Sequence, residues 1–366
     1  MNDIWPNGPL SEIADVIMGQ SPNGSSTNNV GKGTPLLNGP TEFGLFHPDP
    51  VQWTNAGVRF AMTDDVLFCV RGSTTGRMNT ANQQYAIGRG LCAIRAKSIS
   101  DSKFVRYALT HTLPELLSAV TGSVFPNLSK PQISKHPIFV PPPAERERIS
   151  AVLESLDDKI AVNENILRAT EDLIHASYRG FINGSTLQVV KARDVVRRIS
   201  PKRKFKKDDL VPQGDFPVFD QSETGLLGYL NGDGFLDAST EEPILYFGDH
   251  TCKLRIVTQP FTVGPNTVPF NGIRVPALTL YCALNGVQKQ EEYKRHWSLL
   301  MDKEIFVPNE KEREEFASRY GYLLRMAMVL TKENRSLATT RDALLPQLMS
   351  GKLRVKDAEA LVESAV

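Results

Sequence analysis

The stretch IFVPPPAERERI, residues 138–149, recurs 167 positions later as IFVPNEKEREEF, residues 305–316. Both copies contain Ile-Phe-Val-Pro, and Glu-Arg-Glu follows at the same distance in each. The same shift relates two later pairs, Arg168 with Arg335 and Gly184 with Gly351. A shift that stays constant over about forty-five residues without a gap indicates an internal duplication.

A weaker match joins the fronts of the two halves at a shift of 182. Residues 10–13 correspond to 192–195, and residues 34–38 correspond to 216–220. Between these fronts and the repeated motif the halves align only with gaps. The ends of each half are therefore alike while the middles differ. This pattern predicts a shared scaffold that carries two different recognition surfaces.

A long helix is predicted after each copy of the motif. The first runs over about 144–178, because prolines precede it and Glu145 in its first turn suits a helix N-terminus. The second covers about 310–345. We expect Pro346 and then Gly351 to stop it, because proline cannot continue a helix and glycine favours its end.

Both helices repeat apolar residues at alternating steps of four and three, the spacing of a heptad seam. The seam residues are Ile149, Leu153, Leu156, Ile160, Asn163, Leu167, Phe316, Tyr320, Leu323, Leu330, Asn334 and Leu337. A helix of thirty-five residues is roughly 50 Å long, and its apolar stripe needs a partner. We interpret the pair as an antiparallel intramolecular coiled coil in which the two asparagines fix the register. The alternative is that each helix caps the core of its own domain.

The regions before the helices contain short strand-like runs punctuated by Gly, Asn and Pro. These runs are Val66–Val70, Leu91–Ile94, Ile244–Phe247 and Phe261–Val263, and one internal helix is predicted in each region, near Asp101–Ala119 and Val275–Leu284. The sequence therefore predicts an α+β fold: two mixed α/β domains joined by two long antiparallel helices, with pseudo-twofold symmetry. The predicted segments are a first domain (1–143), a first helix (144–184), a second domain (185–309), a second helix (310–351) and a C-terminal tail (352–366).

The bulk composition gives no direct sign of a ligand. The chain has 366 residues, and 42 Lys and Arg against 41 Asp and Glu leave a net charge of +1, so any nucleic-acid signal must be local. The four cysteines are scattered without a Cys-x-x-Cys pair, which argues against zinc. We find neither a signal peptide nor an apolar run long enough to span a bilayer, and we expect a cytoplasmic protein.

Several segments, in this order and spacing, resemble the specificity (S) subunit of Type I restriction-modification systems. They are LSEIA (10–14), RGSTTG (71–76), GSVFPNLS (122–129), PIFVPPP (137–143) with ERERI (145–149), ILYFGDHT (244–251) and RHW (295–297). The resemblance covers nearly the whole chain. The second half departs from it, because it lacks the Gly-Ser-Thr-x-Gly loop and has Pro308-Asn309 in place of the triple proline. These departures argue against a shared DNA target for the two halves.

The resemblance implies two target-recognition domains, each reading half of a split double-stranded DNA target, with the helices setting the gap. It also implies two methyltransferase subunits and two motor-nuclease subunits as partners. Those partners, and not this chain, would hold S-adenosylmethionine, ATP and magnesium.

A search for catalytic motifs agrees with a reader of DNA rather than an enzyme. The chain contains no Asn/Asp-Pro-Pro-aromatic methyltransferase motif, no His-Glu-x-x-His and no Gly-x-Ser-x-Gly. Gly31-Lys32-Gly33 resembles the end of a P-loop, but Ser26 and Gly33 break the pattern, so we interpret it as a turn. His250 beside Asp249 suggests acid–base chemistry, and a polar loop is the interpretation we favour.

The densest basic run of the chain lies just after the first helix and continues to Lys207. From it we take Arg198, Lys202, Arg203, Lys204 and Lys206 as candidate phosphate contacts. A solvated linker is an equally good interpretation of this run.

Two polar loops are the candidates in the first domain. Arg reads guanine and Asn reads adenine in the major groove, and loops on a rigid scaffold commonly carry such contacts. The candidates are Arg71, Ser73, Thr74, Thr75, Arg77, Asn79, Asn127 and Lys130. An ordinary hairpin turn is the alternative for the first loop, and Phe125 in the second is either a core or a stacking residue.

The candidates in the second domain are Gln221, His250, Thr251, Lys253, Arg255, Lys294, Arg295 and His296. No metal site is predicted. Besides a DNA-reading subunit, the long helices allow a scaffold that only bridges partner proteins. A lone nuclease is the third hypothesis.

Overall fold

In a computed structural model, residues 5–44, 46–119, 127–222, 224–232, 235–291 and 295–363 are described. The fold is α+β, as the sequence predicts. The chain forms two compact units: unit 1 comprises residues 1–162 and 334–366, and unit 2 comprises residues 163–333. No helix in the described ranges is both long and apolar enough to cross a membrane.

The first part of the chain contains eleven strands and three helices among its described residues. The strands are β1 (Asn7–Pro9), β2 (Ala14–Met18), β3 (Thr27–Asn28), β4 (Thr34–Leu37), β5 (Gln52–Thr54), β6 (Phe60–Ala61), β7 (Val66–Cys69), β8 (Met78–Thr80), β9 (Tyr85–Ile87), β10 (Leu91–Ala96) and β11 (Pro137–Phe139). The helices are α1 (Ser102–Ser118), α2 (Lys130–Ser134) and α3 (Pro143–Ile182).

The second part contains nine strands and five helices, counted over the same described ranges. The strands are β12 (Leu187–Lys191), β13 (Val196–Arg198), β14 (Phe216–Phe219), β15 (Leu226–Leu230), β16 (Ile244–Gly248), β17 (Leu254–Val257), β18 (Thr262–Val263), β19 (Thr267–Gly272) and β20 (Glu304–Pro308). The helices are α4 (Ala192–Val195), α5 (Ala277–Leu284), α6 (His296–Asp302), α7 (Glu310–Met349) and α8 (Val355–Glu363). The four strand-like runs and the two internal helices predicted from the sequence are confirmed within a few residues.

The core of unit 1 is built on an antiparallel sheet with the strand order β2-β10-β7-β8. Its central strands are buried on both faces. Val66 and Phe68 pack into the core that includes α1, whereas Leu67 and Cys69 pack into a second core with β9. Because side chains alternate between the faces of a strand, a strand covered on both sides needs an unbroken apolar run.

Unit 2 repeats this plan with the order β13-β19-β16-β17, also antiparallel. Leu245 and Phe247 pack toward α5 and α6, whereas Ile244 and Tyr246 pack toward β18. Strand order therefore makes β16 and β17 the counterparts of β7 and β8. In both units the strand before the long helix pairs with an N-terminal strand, β1 with β11 and β12 with β20.

Both long helices run four residues beyond the ends predicted from their heptad spacing, residues 178 and 345, and the prediction that Pro346 stops the second helix is wrong. Pro346 lies inside α7, and the backbone N–H of Ser350 still donates to its carbonyl oxygen at 3.2 Å. Proline has no backbone N–H to donate to the helix, but its carbonyl oxygen can still accept a hydrogen bond. The helix ends at Met349, and two residues later Gly351, with a φ of +73°, adopts the left-handed conformation that glycine favours just after a helix.

Within each unit, a segment of α3 packs against a segment of α7. In unit 1, Ile149 and Leu153 share a core with Leu344 and Leu348, and the Asp157 carboxylate accepts from the Arg341 guanidinium at 2.6 Å. The seam residues of both units are buried or half-buried.

Two contacts in unit 2 give the direction of the helix segments. The Asn163 amide donates to Glu333 at 2.7 Å, and the rings of Tyr178 and Phe316 meet edge to face with centroids 5.1 Å apart. From the first contact to the second, the residue number increases along α3 and decreases along α7, so the two segments run antiparallel.

Residues 352–366, predicted as a tail, contain α8. This helix buries Val355, Ala358 and Val362 in the core of unit 1. The indole N–H of Trp5 donates to the carbonyl oxygen of Leu348 at 3.1 Å. The apolar spacing of α8 at three and four residues is the signal that the sequence offered.

The repeated Glu-Arg-Glu places a buried arginine at the start of each long helix. Arg146 is 8% exposed and pairs with Asp101, 3% exposed, through bonds of 2.7 and 2.8 Å, and it also donates to the carbonyl oxygen of Pro141. Arg313, its counterpart at the shift of 167, is equally buried. The arginine thereby ties α3 to the N-terminus of α1.

Replacing Arg146 by leucine should lower the free energy of unfolding by roughly 3–5 kcal/mol, because Asp101 would remain buried without its partner. Arg148→Leu is the matched control. Arg148 is exposed and pairs with Glu145 at 3.2 Å, so its loss should cost under about 1 kcal/mol. Urea unfolding followed by circular dichroism measures both. Equal losses in the two variants would contradict the role given to the buried pair.

Candidate nucleic-acid interface

The first candidate surface is the hairpin turn between β7 and β8 in unit 1. Gly72 and Gly76 adopt φ values of +80° and +92°, and the Thr75 hydroxyl donates to the Gly72 carbonyl oxygen at 2.8 Å. A Cβ on Gly76 would lie 3.0 Å from a methyl carbon of Leu113 in α1. The turn is thus held closely against α1, and glycine is required where the two meet.

The segment that enters α2 lies beside this turn. The backbone N–H of Leu128 donates to the Val70 carbonyl oxygen at 2.9 Å, and Arg71 and Asn127 form an isolated β-bridge. Ser129 and Gln132 together cap the start of α2. The carboxamide oxygen of Gln132 accepts from the backbone N–H of Ser129 at 2.9 Å. These bonds bring together candidates that are 56 residues apart in sequence, since 127 minus 71 is 56.

The exposed candidates of this surface are Arg71, Ser73, Arg77, Asn127 and Lys130, and Thr74 and Thr75 are half-buried. Asn79, a predicted DNA contact, is buried inside the domain and does not lie on this surface. It is 5% exposed, its amide donates to the Gly44 carbonyl oxygen at 2.9 Å, and its side-chain oxygen accepts from the Thr80 N–H at 2.7 Å. Its polar groups are used inside the domain. Phe125 and the rest of residues 120–126 lie outside the described residues.

The second candidate surface is the turn between β16 and β17, at the position that the first occupies in unit 1. Gln221 holds this turn from both sides. Its carboxamide oxygen accepts from the His250 N–H at 2.9 Å, and its carbonyl oxygen accepts from the Thr251 hydroxyl at 2.9 Å. The His250 side chain remains exposed, and Thr251 and Lys253 are half-buried.

The segment entering α6 is joined to this turn as its counterpart is in unit 1. The His296 N–H donates to the Asp249 carbonyl oxygen at 2.9 Å, and the Asp249 carboxylate accepts from the Trp297 N–H at 2.8 Å. Asp249 therefore orients the turn and caps the helix. Sequence reasoning named this residue only as part of a polar loop, because both of its partners lie over forty residues away.

His296, another predicted DNA contact, is also buried. It is 1% exposed; its Nδ1 lies 2.9 Å from the Asp249 carbonyl oxygen and its Nε2 accepts from the Glu291 N–H at 2.8 Å. Both ring nitrogens serve the fold. Arg295 beside it is exposed, whereas Lys294 lies outside the described residues.

The basic run forms an exposed strip, Lys202–Lys206, that continues from the end of β13. Burial and the nearby Arg198 lower the pKa of Lys204, while Asp249 opposes this shift. Lys204 contacts Thr267, which pairs with Gly248 at the end of β16, so the strip lies next to the second turn. Lys204 itself donates to the Thr267 carbonyl oxygen at 2.7 Å. Arg203 stacks over the Phe205 ring at 4.8 Å and pairs with Asp209.

Arg255 is the candidate that the structure separates from the others in unit 2. It lines a cavity of about 370 Å³ between β17, α5 and the unit 2 segments of α3 and α7. Tyr281 lines the same cavity, and its hydroxyl donates to Glu171 at 2.6 Å.

Residues suited to a metal do not cluster in the part of the chain that the structure describes. All four cysteines are free thiols, and burial raises the pKa of each. Gly31 and Gly33 have positive φ in a turn capped by the Asn28 side chain, so the interpretation of this segment as a turn is confirmed. The β7–β8 turn, the β16–β17 turn and the basic strip therefore present hydrogen-bond donors and positive charge on ordered backbone.

Replacing Asp249 by alanine should cost about 1–2 kcal/mol of stability, because the α6 N-terminus loses its cap. His250→Ala, at the adjacent exposed position, should change stability by no more than about 0.5 kcal/mol. Thermal unfolding by calorimetry compares them. If both variants unfold like the natural chain, Asp249 has no positioning role.

Residues 2–171 match the family model of the Type I restriction modification DNA specificity domain. The putative type I restriction enzyme MjaX specificity subunit of Methanocaldococcus jannaschii is 35% identical over 176 residues, which are 47% of this chain and 41% of that protein. The match thus spans about two fifths of the relative's length. The S subunit of a Type I restriction-modification system from M. genitalium superposes with a TM-score of 0.56 over 95% of this chain and 97% of its own; at 16% identity this likeness concerns the fold. Over residues 2–171, slightly less than half of its length, the chain is therefore similar to the Type I restriction modification DNA specificity domain.

Proposed function

We propose that the chain is a non-catalytic, sequence-specific DNA-binding subunit that reads a bipartite target, one half with each domain. One observation carries this proposal. Both units hold a polar turn between the third and fourth strands of the same sheet, and both tie it by one backbone hydrogen bond to the segment entering a short helix. The scaffold is shared while the exposed side chains differ.

The side chains of the first surface suit direct reading of bases. Arg71 and Arg77 carry the guanidinium that pairs with guanine, and Asn127 carries the carboxamide that pairs with adenine. Lys130 supplies charge for a phosphate. An ordered turn keeps these groups in place before DNA arrives, which reduces the entropy lost on binding.

The second surface combines polar and basic groups differently. The exposed His250 side chain projects from the turn with the half-buried Thr251 beside it, and the Lys202–Lys206 strip adds charge that binds DNA independently of base sequence. The front of the first domain, which aligns with the front of the second at a shift of 182, has no equivalent basic strip. We therefore expect the second domain to contribute more of the salt-dependent affinity.

The helices would act as the spacer of the target. We propose that the antiparallel segments of α3 and α7 form one continuous coiled coil with pseudo-twofold symmetry, between a first domain (1–143) and a second domain (185–309). A 40-residue helix is about 60 Å long, enough to separate domains that read major grooves roughly 34–36 Å apart.

The partners in this proposal are two methyltransferase subunits and two motor-nuclease subunits. These would supply S-adenosylmethionine, ATP and magnesium, and this chain would direct them to the target. A protein-bridging scaffold without direct DNA contact is the alternative that the same helices allow.

A domain exchange tests the proposal. When residues 188–307 are replaced by the second domain of another specificity subunit, one half of the methylated sequence should change and the other should stay. The reciprocal exchange of residues 1–140 is the control and should change the opposite half. If both halves stay unchanged in both exchanges, the chain does not read the target.

The salt dependence of DNA binding separates the reader from the scaffold. For the complex with the methyltransferase subunit, Lys202→Ala with Lys206→Ala should lower the slope of log K against log salt by roughly two on a 40-base-pair duplex, about one for each phosphate that is no longer neutralised. Lys311→Ala with Lys356→Ala removes the same charge elsewhere and should leave the slope unchanged. Fluorescence anisotropy measures both, and a slope insensitive to the first pair would favour the scaffold.

A further inference from the structure

Two buried arginines that the duplication placed alike have different surroundings. Arg313, at the start of α7, corresponds to Arg146 in α3, and both are 8% exposed. In unit 1 the Asp101 carboxylate accepts from the Arg146 guanidinium at 2.7 and 2.8 Å. Among the residues that the structure describes, the buried Nε of Arg313 has no hydrogen-bond partner. Because a buried charge without an acceptor is destabilising, the Arg313 guanidinium favours a bound anion.

The start of α5 differs from the start of α1 in its charge. Helices α1 and α5 are counterparts, since each follows the second strand of its four-stranded sheet, β10 or β19. Asp101 directly precedes α1, whereas Pro276 directly precedes α5. From Ile273 to Leu284 the sequence contains neither Asp nor Glu. The carboxylate that Arg146 uses therefore has no equivalent at the start of α5.

The start of α5 lies beside Arg313 and adds donors of its own. The Thr279 hydroxyl, in the first turn of α5 and fully buried, donates to the Arg313 carbonyl oxygen at 2.9 Å. The first bond inside the helix runs from the Leu280 N–H to the Pro276 carbonyl oxygen, so the three N–H groups before it have no acceptor in the helix. N–H groups at a helix N-terminus attract anions, and a guanidinium beside them strengthens that attraction.

The geometry in unit 1 indicates which anion fits. There, Arg146 reaches the residue before α1 and binds its carboxylate through two bonds, the arrangement that a planar guanidinium prefers. Arg313, at the same place of α7, should bind the same group. Glu312, the adjacent carboxylate, is used by the Thr186 N–H at 2.9 Å. Because Arg313 is 8% exposed and Pro276 is half-buried, a small ligand suits the site better than a segment of another chain.

We infer that Arg313 and the N-terminus of α5 form a site for a small free carboxylate. The bound carboxylate accepts from the guanidinium and from the α5 N–H groups, and it ties α5 to α7 as Asp101 ties α1 to α3. The site lies away from the proposed DNA-reading turn. Thr267, at the start of β19, pairs with Gly248 beside that turn, whereas α5 follows the other end of β19. Carboxylate binding at this site does not depend on the proposed function.

Saturation-transfer difference NMR on the full chain, with sodium acetate as the probe, measures binding directly. Acetate should give a saturable signal with the natural chain and bind Arg313→Met roughly tenfold more weakly or less. Arg325→Met, which removes an exposed arginine from the same helix, is the matched control and should bind acetate as the natural chain does. Pro276→Asp supplies a carboxylate from the chain itself and should abolish the acetate signal. Pro276→Ser caps α5 without a charge and should retain it.

Thermal unfolding gives a second readout that also reports whether the variants fold. At equal ionic strength, acetate should raise the unfolding midpoint of the natural chain by about 3 °C or more over chloride, because it binds the folded state. Arg313→Met should show no such rise. In chloride, Arg313→Met should unfold no earlier than the natural chain, because the substitution removes a buried charge.

An affinity for acetate that is the same in Arg313→Met as in the natural chain, or an acetate signal undiminished by Pro276→Asp, would overturn the inference. So would a fall in the midpoint of Arg313→Met in chloride as large as that of Arg146→Leu, because the arginine would then have a partner within the chain. Loss of the acetate signal when the methyltransferase subunit or a DNA duplex is added would assign the site to a carboxylate side chain or a phosphate of that partner, and the free ligand would be wrong.

Discussion

A forty-residue helix with an apolar stripe is unstable in water until something covers the stripe, and this requirement governs both units. Each unit satisfies it by packing a segment of α3 against an antiparallel segment of α7. A buried arginine then fixes the start of α3 to the domain before it. The sheet, the cores and the turns are arranged around these helix segments, which accounts for why the duplicated sequence is most constant there.

The two domains differ where the scaffold leaves them free to differ. Strands β7 and β16 are buried on both faces and therefore must stay apolar. The turns that follow them are exposed, so their residues can change without harm to the core. Under the proposed function, a change of target would alter Arg71 or His250 while leaving the hydrogen bonds of Leu128 and His296 in place. Under the same proposal, the frame holds each turn in place while the exposed residues of the turn select the target.

The sequence predicted the features encoded by local spacing and missed those that depend on distant partners. Heptad spacing located α3 and α7, and apolar runs located the central strands. Asn79 and His296 look like surface residues in the sequence, but their partners, the carbonyl oxygens of Gly44 and Asp249, come from remote parts of the chain. The equivalence of the two turns was also hidden, because it appears only when strand order is compared and not when residues are aligned.

Under the proposed function, one chain reads two separate half-sites of a DNA target. The most direct measurement is a map of methylated bases in the host genome with and without the gene for this chain. Removal of the gene should abolish methylation at one motif made of two specific blocks separated by a stretch of unspecified bases. An unchanged methylation map, or loss of a single uninterrupted motif, would contradict it.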